Sequence, residues 1–102
     1  SPVDVARVSA SILIGDDARV IVPAEVYPLV ADRDDAQVLR ATQGFLPDLD
    51  WPERFDAVVV DVESMGWTAS EARMFESRLI LMEFRKRLDR DGVRLWVRRP
   101  GA

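Results

Sequence analysis

The sequence contains no histidine and no cysteine among its 102 residues. Without histidine, the chain lacks the commonest general base, the Ser-His-Asp triad and the usual zinc ligands. Without cysteine, it can form neither a disulfide nor a thiolate nucleophile, and it needs no oxidising compartment. These absences exclude several common classes of enzyme, and we expect a cytoplasmic protein.

Phosphate-binding motifs are missing as well. The only lysine, Lys86, lies between two arginines and not in the Gly-Lys-Ser/Thr of a P-loop. The five glycines are too far apart for the Gly-x-Gly-x-x-Gly turn of dinucleotide-binding sites. No apolar run approaches the roughly 18 residues that a membrane span requires. We therefore expect no cofactor and no membrane partner.

The composition is that of one folded domain, with 48% apolar and 31% charged residues. We therefore predict a single domain over residues 1–102. Residues 85–102 carry a net charge of +5 and the rest −9, which gives −4 overall. A basic patch of Arg94, Arg98 and Arg99 could meet a phosphate backbone or simply face solvent. Because only Trp96 could stack on bases beside it, nucleic acid is not the partner we expect.

The first half of the chain has the pattern of a hairpin followed by a helix. Apolar and polar residues alternate over residues 5–15, which predicts a strand. Turn residues follow, and residues 19–22 predict a second strand that pairs with the first. Pro28 suits the first turn of a helix, which we expect to end near Gly44.

The second half predicts a buried strand, a long helix and a last strand. Residues 55–62 predict a strand, and residues 57–60 within it are apolar on both faces, as in a central strand that is covered on both sides. Thr68 and Glu71 form a capping box that opens a helix over residues 69–90. Gly92 ends this helix, and residues 93–97 form the last strand. The predicted fold is an α/β sandwich of order ββαβαβ with a mixed sheet.

The long helix has two apolar stripes, although a helix on one sheet face needs only one. The second stripe must pack within the domain or against another molecule. Aromatic and methionine side chains are common anchors at protein interfaces. The candidate partner interface, which could also serve a homodimer, consists of Phe75, Leu79, Met82 and Trp67.

Two carboxylates follow the central strand. Asp61 and Glu63 are two residues apart, so both can point the same way. The carboxyl end of a strand is where α/β sheets bind ligands and Mg²⁺, which makes this pair a candidate metal site. Alternatively, the two residues only mark the point where the chain leaves the core for water.

From Phe55 to Val97 the chain resembles a STAS domain, the module of anti-sigma-factor antagonists. The matching features are the strand 58–62, the helix opening at 68–70 and Gly92 before the last strand. The resemblance implies a non-catalytic regulatory module whose helix start is phosphorylated and binds a partner protein. It makes Ser70 or Thr68 the candidate phospho-acceptor, whereas local structure alone makes Thr68 a helix cap.

We therefore predict a non-catalytic regulatory or protein-interaction module that acts through the long helix and its N-terminal loop. Its partner would be another protein or a second copy. The alternative is a small metal-dependent or methyltransferase-like enzyme fragment using Asp61 and Glu63, since the second half also resembles the closing strands of a class I methyltransferase. The sequence does not identify the partner or the oligomeric state.

Overall fold

The chain begins with a helix. The computed structural model describes residues 1–40 and 54–98, and its first element is α1, Pro2–Leu13. The Ser1 hydroxyl accepts a hydrogen bond from the Asp4 backbone N–H, and the Asp4 side chain accepts one from the cap in return. This capping box, with proline in the first turn, is a strong helix start. The predicted strand over residues 5–15, and the hairpin with it, is therefore wrong.

In the described residues, five strands form one mixed sheet in the order β2-β1-β3-β5-β4. β1 runs parallel to both β2 and β3, whereas β5 is antiparallel to both β3 and β4. Their bounds are Val20–Val22 for β1, Ala36–Val38 for β2, Ala57–Asp61 for β3, Arg85–Arg90 for β4 and Val93–Val97 for β5. The mixed sheet agrees with the prediction.

The helix expected from Pro28 onward is not formed where the chain is described. A short 3-10 turn spans Tyr27–Leu29, and β2 follows at Ala36–Val38. Arg33 accounts for part of this path, because its guanidinium donates hydrogen bonds to the carbonyl oxygens of Ile14 and Gly15. The predicted end of that helix near Gly44 lies outside the described residues.

β3 is the central strand, as the apolar run over residues 55–62 predicted. All five of its residues are buried. Ala57 and Val59 face the core that contains α1, whereas Val58 and Val60 face the opposite core. A strand between two cores explains why this part of the sequence is apolar without alternation.

Two helices follow β3: α2, Val62–Met65, and α3, Ala69–Leu81. The capping box predicted for Thr68 and Glu71 is present at the start of α3. The helix ends nine residues before the predicted bound of residue 90, so that prediction is wrong. The chain reverses at Glu83, which has a φ of 69°, and the basic segment becomes the edge strand β4.

The helices lie on opposite faces of the sheet. Ala6 and Ala10 of α1 pack in one core, and Phe75 and Leu79 of α3 pack in the other. The described elements therefore begin with a helix and end with two antiparallel strands, which differs from the order ββαβαβ. Within the described ranges, no helix has the length and apolar character needed to cross a membrane.

Candidate functional site

The carboxyl ends of the three parallel strands enclose a cleft. In the sheet, β2 lies on one side of β1 and β3 lies on the other. The connections after β1 and β2 therefore lead in opposite directions, and ligands of α/β sheets bind at such a switch point. The cleft has a volume of about 380 Å³ and is lined by residues at the end of each of these strands or just after it: Pro23, Ala24, Glu25, Val38, Leu39, Arg40, Ser64 and Met65. We call it the carboxyl-edge cleft.

Asp61, the last residue of β3, is fully buried beside this cleft. One of its carboxylate oxygens accepts a hydrogen bond from Arg7 Nε of α1 at 2.6 Å. The other accepts one from the Ser64 backbone N–H at 3.2 Å and so caps α2. The hydrogen bond between Arg7 and Asp61 raises the pKa of Arg7 above its ordinary value, although partial burial opposes the rise. Asp61 therefore fastens α1 and α2 to the sheet.

Glu63, the second member of the candidate metal pair, lies in the first turn of α2 and is exposed. Both carboxylate oxygens of Asp61 already accept hydrogen bonds, one of them from the guanidinium of Arg7. Across residues 1–40 and 54–98, no three His, Cys, Asp or Glu side chains are grouped so that they could hold a metal ion. The geometry thus gives the candidate metal site no support.

Glu25 contributes a carboxylate to the cleft from the segment after β1. The Ser64 hydroxyl donates a hydrogen bond to it. This bond, together with the positive charge of Arg7, holds the pKa of Glu25 below its ordinary value. The roles of Glu25, Ser64 and Arg7 could not be predicted, because these residues are far apart in the chain and no motif spacing connects them.

Comparison with protein-family models, with curated proteins and with solved structures gave no match.

The candidate partner interface lies mainly on the inner face of α3. Phe75 and Leu79 are at most 2% exposed, and the rings of Trp67 and Phe75 are 5.0 Å apart. Met82 is half-buried against the same core. While α3 stays packed on the sheet, a partner cannot reach Phe75 or Leu79.

The outer face of α3 carries the other apolar stripe. Met74 is 65% exposed and Leu81 is 81% exposed. With Ser70 and Ser77 they recur at spacings of four, three and four residues, the spacing of coiled-coil contact positions. At about 100° per residue, this line lies opposite the buried face of α3. We call these four residues the outer seam.

The two candidate phospho-acceptors have different surroundings. The Thr68 hydroxyl accepts a hydrogen bond from the Glu71 backbone N–H at 3.1 Å and is therefore the helix cap. Ser70 is exposed in the first turn and belongs to the outer seam. A kinase would thus reach the Ser70 hydroxyl without breaking the cap.

Two of the three residues of the candidate basic patch, Arg94 and Arg98, lie among the described residues. Arg94 is part-buried and pairs with Glu76; this hydrogen-bonded pairing raises the pKa of Arg94. The Arg98 guanidinium lies over the Phe84 ring at 5.5 Å, and Arg99 lies outside the described residues. Exposed basic side chains instead line the edge strand β4, where charge discourages pairing with another strand.

Proposed function

We propose that this protein is a non-catalytic protein-interaction module whose contact surface is the outer seam of α3. The observation that carries the proposal is the exposure of Met74 and Leu81, one above the other on a helix already packed by its opposite face. Removing a side chain of this size from water contributes about 1.5–3 kcal/mol. Burial of both side chains by a partner would therefore contribute favourably to the free energy of binding.

The buried carboxylates support a non-catalytic role. Among the described residues they are Asp56, Asp61 and Glu76, and each one accepts hydrogen bonds from an arginine. A general acid or base needs access to substrate. These three carboxylates are buried and already occupied by arginines within the fold, so they suit structural fastening better than proton transfer.

Ser70 gives the outer seam a candidate regulatory switch. The residue is exposed and lies one turn before Met74, beside the acidic side chain of Glu71. Phosphorylation would add close to two negative charges to an apolar contact surface next to a carboxylate, which disfavours a bound partner. The resemblance to STAS domains supports the same expectation.

Site-specific photo-crosslinking in cells tests the proposal. A photo-reactive amino acid replaces Leu81 in one variant and Asp17, which is exposed on a turn before β1, in a control. We expect a specific cross-linked product from position 81 that Met74→Glu and Ser70→Glu both reduce. Equal products from both positions, or none from position 81, would contradict the proposal.

A second candidate function is a methyltransferase-like fragment that binds a small molecule. The carboxyl-edge cleft supports it, because the cleft lies at the switch point of the sheet and Glu25 and Ser64 offer polar groups there. Titration calorimetry with S-adenosylmethionine, the methyl donor that the resemblance implies, tests it with Glu25→Ala as the control. Absence of heat with the unaltered chain would remove this candidate.

A further inference from the structure

The outer seam has a distinct set of residues along each side. Glu71 and Arg78, seven residues apart, lie on one flank of the helix, and Arg73 and Ile80 lie on the other. In coiled-coil terms Met74 and Leu81 occupy one contact position, the two serines occupy the other, and the flanks correspond to the e and g positions. Residues at these flanks decide which helix can pair with the seam and in which direction.

We propose that the outer seam binds the same seam of a second copy, with the two α3 helices antiparallel. This inference rests on the proposed function, because it takes the outer seam as the contact surface. In the antiparallel register, Met74 of each copy packs on Ser77 of the other, and Leu81 packs on Ser70. A large side chain then meets a small one at every layer, which is how well-packed helix contacts fill space.

Charge selects the antiparallel direction. When two helices run antiparallel, equivalent flanks face each other, so Glu71 of each copy lies beside Arg78 of the other. Two attractive pairs result. When the helices run parallel, opposite flanks meet, and Arg73 of each copy lies beside Arg78 of the other. Two arginine pairs of like charge would oppose that arrangement.

The surroundings of Arg78 are a second reason to expect a carboxylate from another copy beside this flank. In the part of the chain that the structure describes, its Nη1 atom is buried and makes no hydrogen bond. A buried donor without an acceptor destabilises the state that contains it. A carboxylate from a second copy, reached by a change of the Arg78 rotamer, would satisfy this donor.

The expected contact is small. α3 has 13 residues, and a pair of such helices buries less than the roughly 1,600 Å² of a standard stable interface. We therefore expect a reversible dimer, populated at high protein concentration, and not an obligate one.

Sedimentation equilibrium over a range of concentrations tests the proposal. Arg78→Glu places Glu71 beside a glutamate twice in the antiparallel pair, and Glu71→Arg places two arginines together. Each change replaces two attractive contacts by two repulsive ones, so we expect each variant to self-associate at least about tenfold more weakly. An equimolar mixture of the two variants restores both attractive pairs, and we expect association within about threefold of the unaltered chain.

Thermal unfolding followed by circular dichroism establishes that both variants are folded. Arg78→Glu is the stricter variant, because it leaves the Thr68–Glu71 capping box intact. Stronger association of Arg78→Glu would indicate the parallel direction and would overturn the proposal. So would a mixture that associates no better than its components.

Failure of this inference is distinguishable from failure of the proposed function. If the unaltered chain stays monomeric at the highest concentration while position 81 cross-links a different protein, self-association is wrong and the interaction module stands. If position 81 gives no product at all, both fail.

Discussion

Glu76 of α3 and Arg94 of β5 form a two-point ion pair in which both nitrogen–oxygen distances are 2.7 Å. The same carboxylate accepts a third hydrogen bond from the Trp96 indole N–H at 2.6 Å. Glu76 is 7% exposed, so its charge is almost entirely removed from water. This one residue therefore fastens α3, and with it the outer seam, to the sheet.

Replacing Glu76 by alanine should strongly destabilise the fold. The change leaves a part-buried guanidinium and a buried indole N–H without their acceptor, and removing one partner of a buried pair costs about 3–5 kcal/mol. Because Arg94 retains some access to water, we expect the free energy of unfolding to fall by about 3 kcal/mol. Urea denaturation followed by circular dichroism measures it. Asp17→Ala, which removes an exposed carboxylate, should cost less than about 0.5 kcal/mol.

Leu79 and Leu81 should respond oppositely to truncation. Leu79 is fully buried and Leu81 is 81% exposed. Leu79→Ala should lower the free energy of unfolding by about 2–5 kcal/mol through the cavity it leaves. Leu81→Ala should change it by less than about 0.5 kcal/mol. Denaturation is measured at low protein concentration so that self-association does not affect the comparison. Equal decreases in the free energy of unfolding for the two variants would contradict the assignment of Leu79, and not Leu81, to the core.

β3 and the start of α3 could be predicted because local sequence decides them. A short run of β-branched valines with no polar residue is typical of a strand covered on both faces. Thr68 and Glu71 satisfy each other's backbone donors, and no distant residue is needed for that. Both features were therefore visible without knowledge of the fold.

α1 was misread because its pattern fits two periods. Val8 and Ile12 alternate with polar residues as in a strand, but they lie on the exposed face of a helix whose buried face carries Ala6 and Ala10. Small alanines give a weak hydrophobic signal although they pack closely. The reciprocal caps of Ser1 and Asp4 were the better indicator.

The end of α3 was missed because no glycine or proline marks it. Glu83 N–H donates to Ile80 O and Phe84 N–H donates to Leu79 O, the paired bonds that close a helix with a left-handed residue. Glycine usually occupies that position, and here Glu83 does.

Asp91 and Gly92, both with positive φ, turn the chain from β4 into β5. An Asp-Gly dipeptide is a hairpin signal, whereas Gly92 was expected to end the long helix.

Glu83→Gly should therefore stabilise the protein. At a φ of 69° a side chain clashes with its own backbone at a cost of about 1–2 kcal/mol, and glycine avoids that cost. The greater freedom of glycine in the unfolded chain offsets part of the gain, so we expect the free energy of unfolding to rise by about 0.5–1 kcal/mol. Thermal and urea denaturation measure it. Glu83→Ala, which keeps the Cβ atom, should give less than half of that gain; an equal gain would mean that loss of the carboxylate is the cause.

The cleft residues could not be predicted because their relations are long-range. Arg7 and Asp61 are 54 residues apart, and Glu25 and Ser64 are 39 apart. Glu25 and Ser64 meet because β1 and β3 run parallel and end at the same edge of the sheet. Arg7 reaches Asp61 from α1, which packs on one face of the sheet. The position of Asp61 at that edge could be predicted, but its guanidinium partner belongs to a helix whose pattern also fits a strand.

The hydrogen bond from Ser64 to Glu25 should be visible in the titration of Glu25. The bond stabilises the ionised carboxylate, so the pKa of Glu25 lies below its ordinary value of 4.5. A lowered folded pKa contributes stability that is fully present above the unfolded pKa and is lost as the pH falls through the folded one. Ser64→Ala should therefore raise the pKa of Glu25 and weaken the loss of stability on acidification below about pH 4. Carbon-detected NMR of the Glu25 carboxyl group measures the pKa, and urea denaturation at several pH values measures the stability.

Ser11→Ala is the control, because the Ser11 hydroxyl donates to the Val8 carbonyl oxygen and not to a carboxylate. It should leave the pKa of Glu25 and the pH dependence of stability unchanged. A pKa of Glu25 that is the same in both variants would mean that the backbone N–H of Glu25 and the charge of Arg7, and not the Ser64 hydroxyl, lower it.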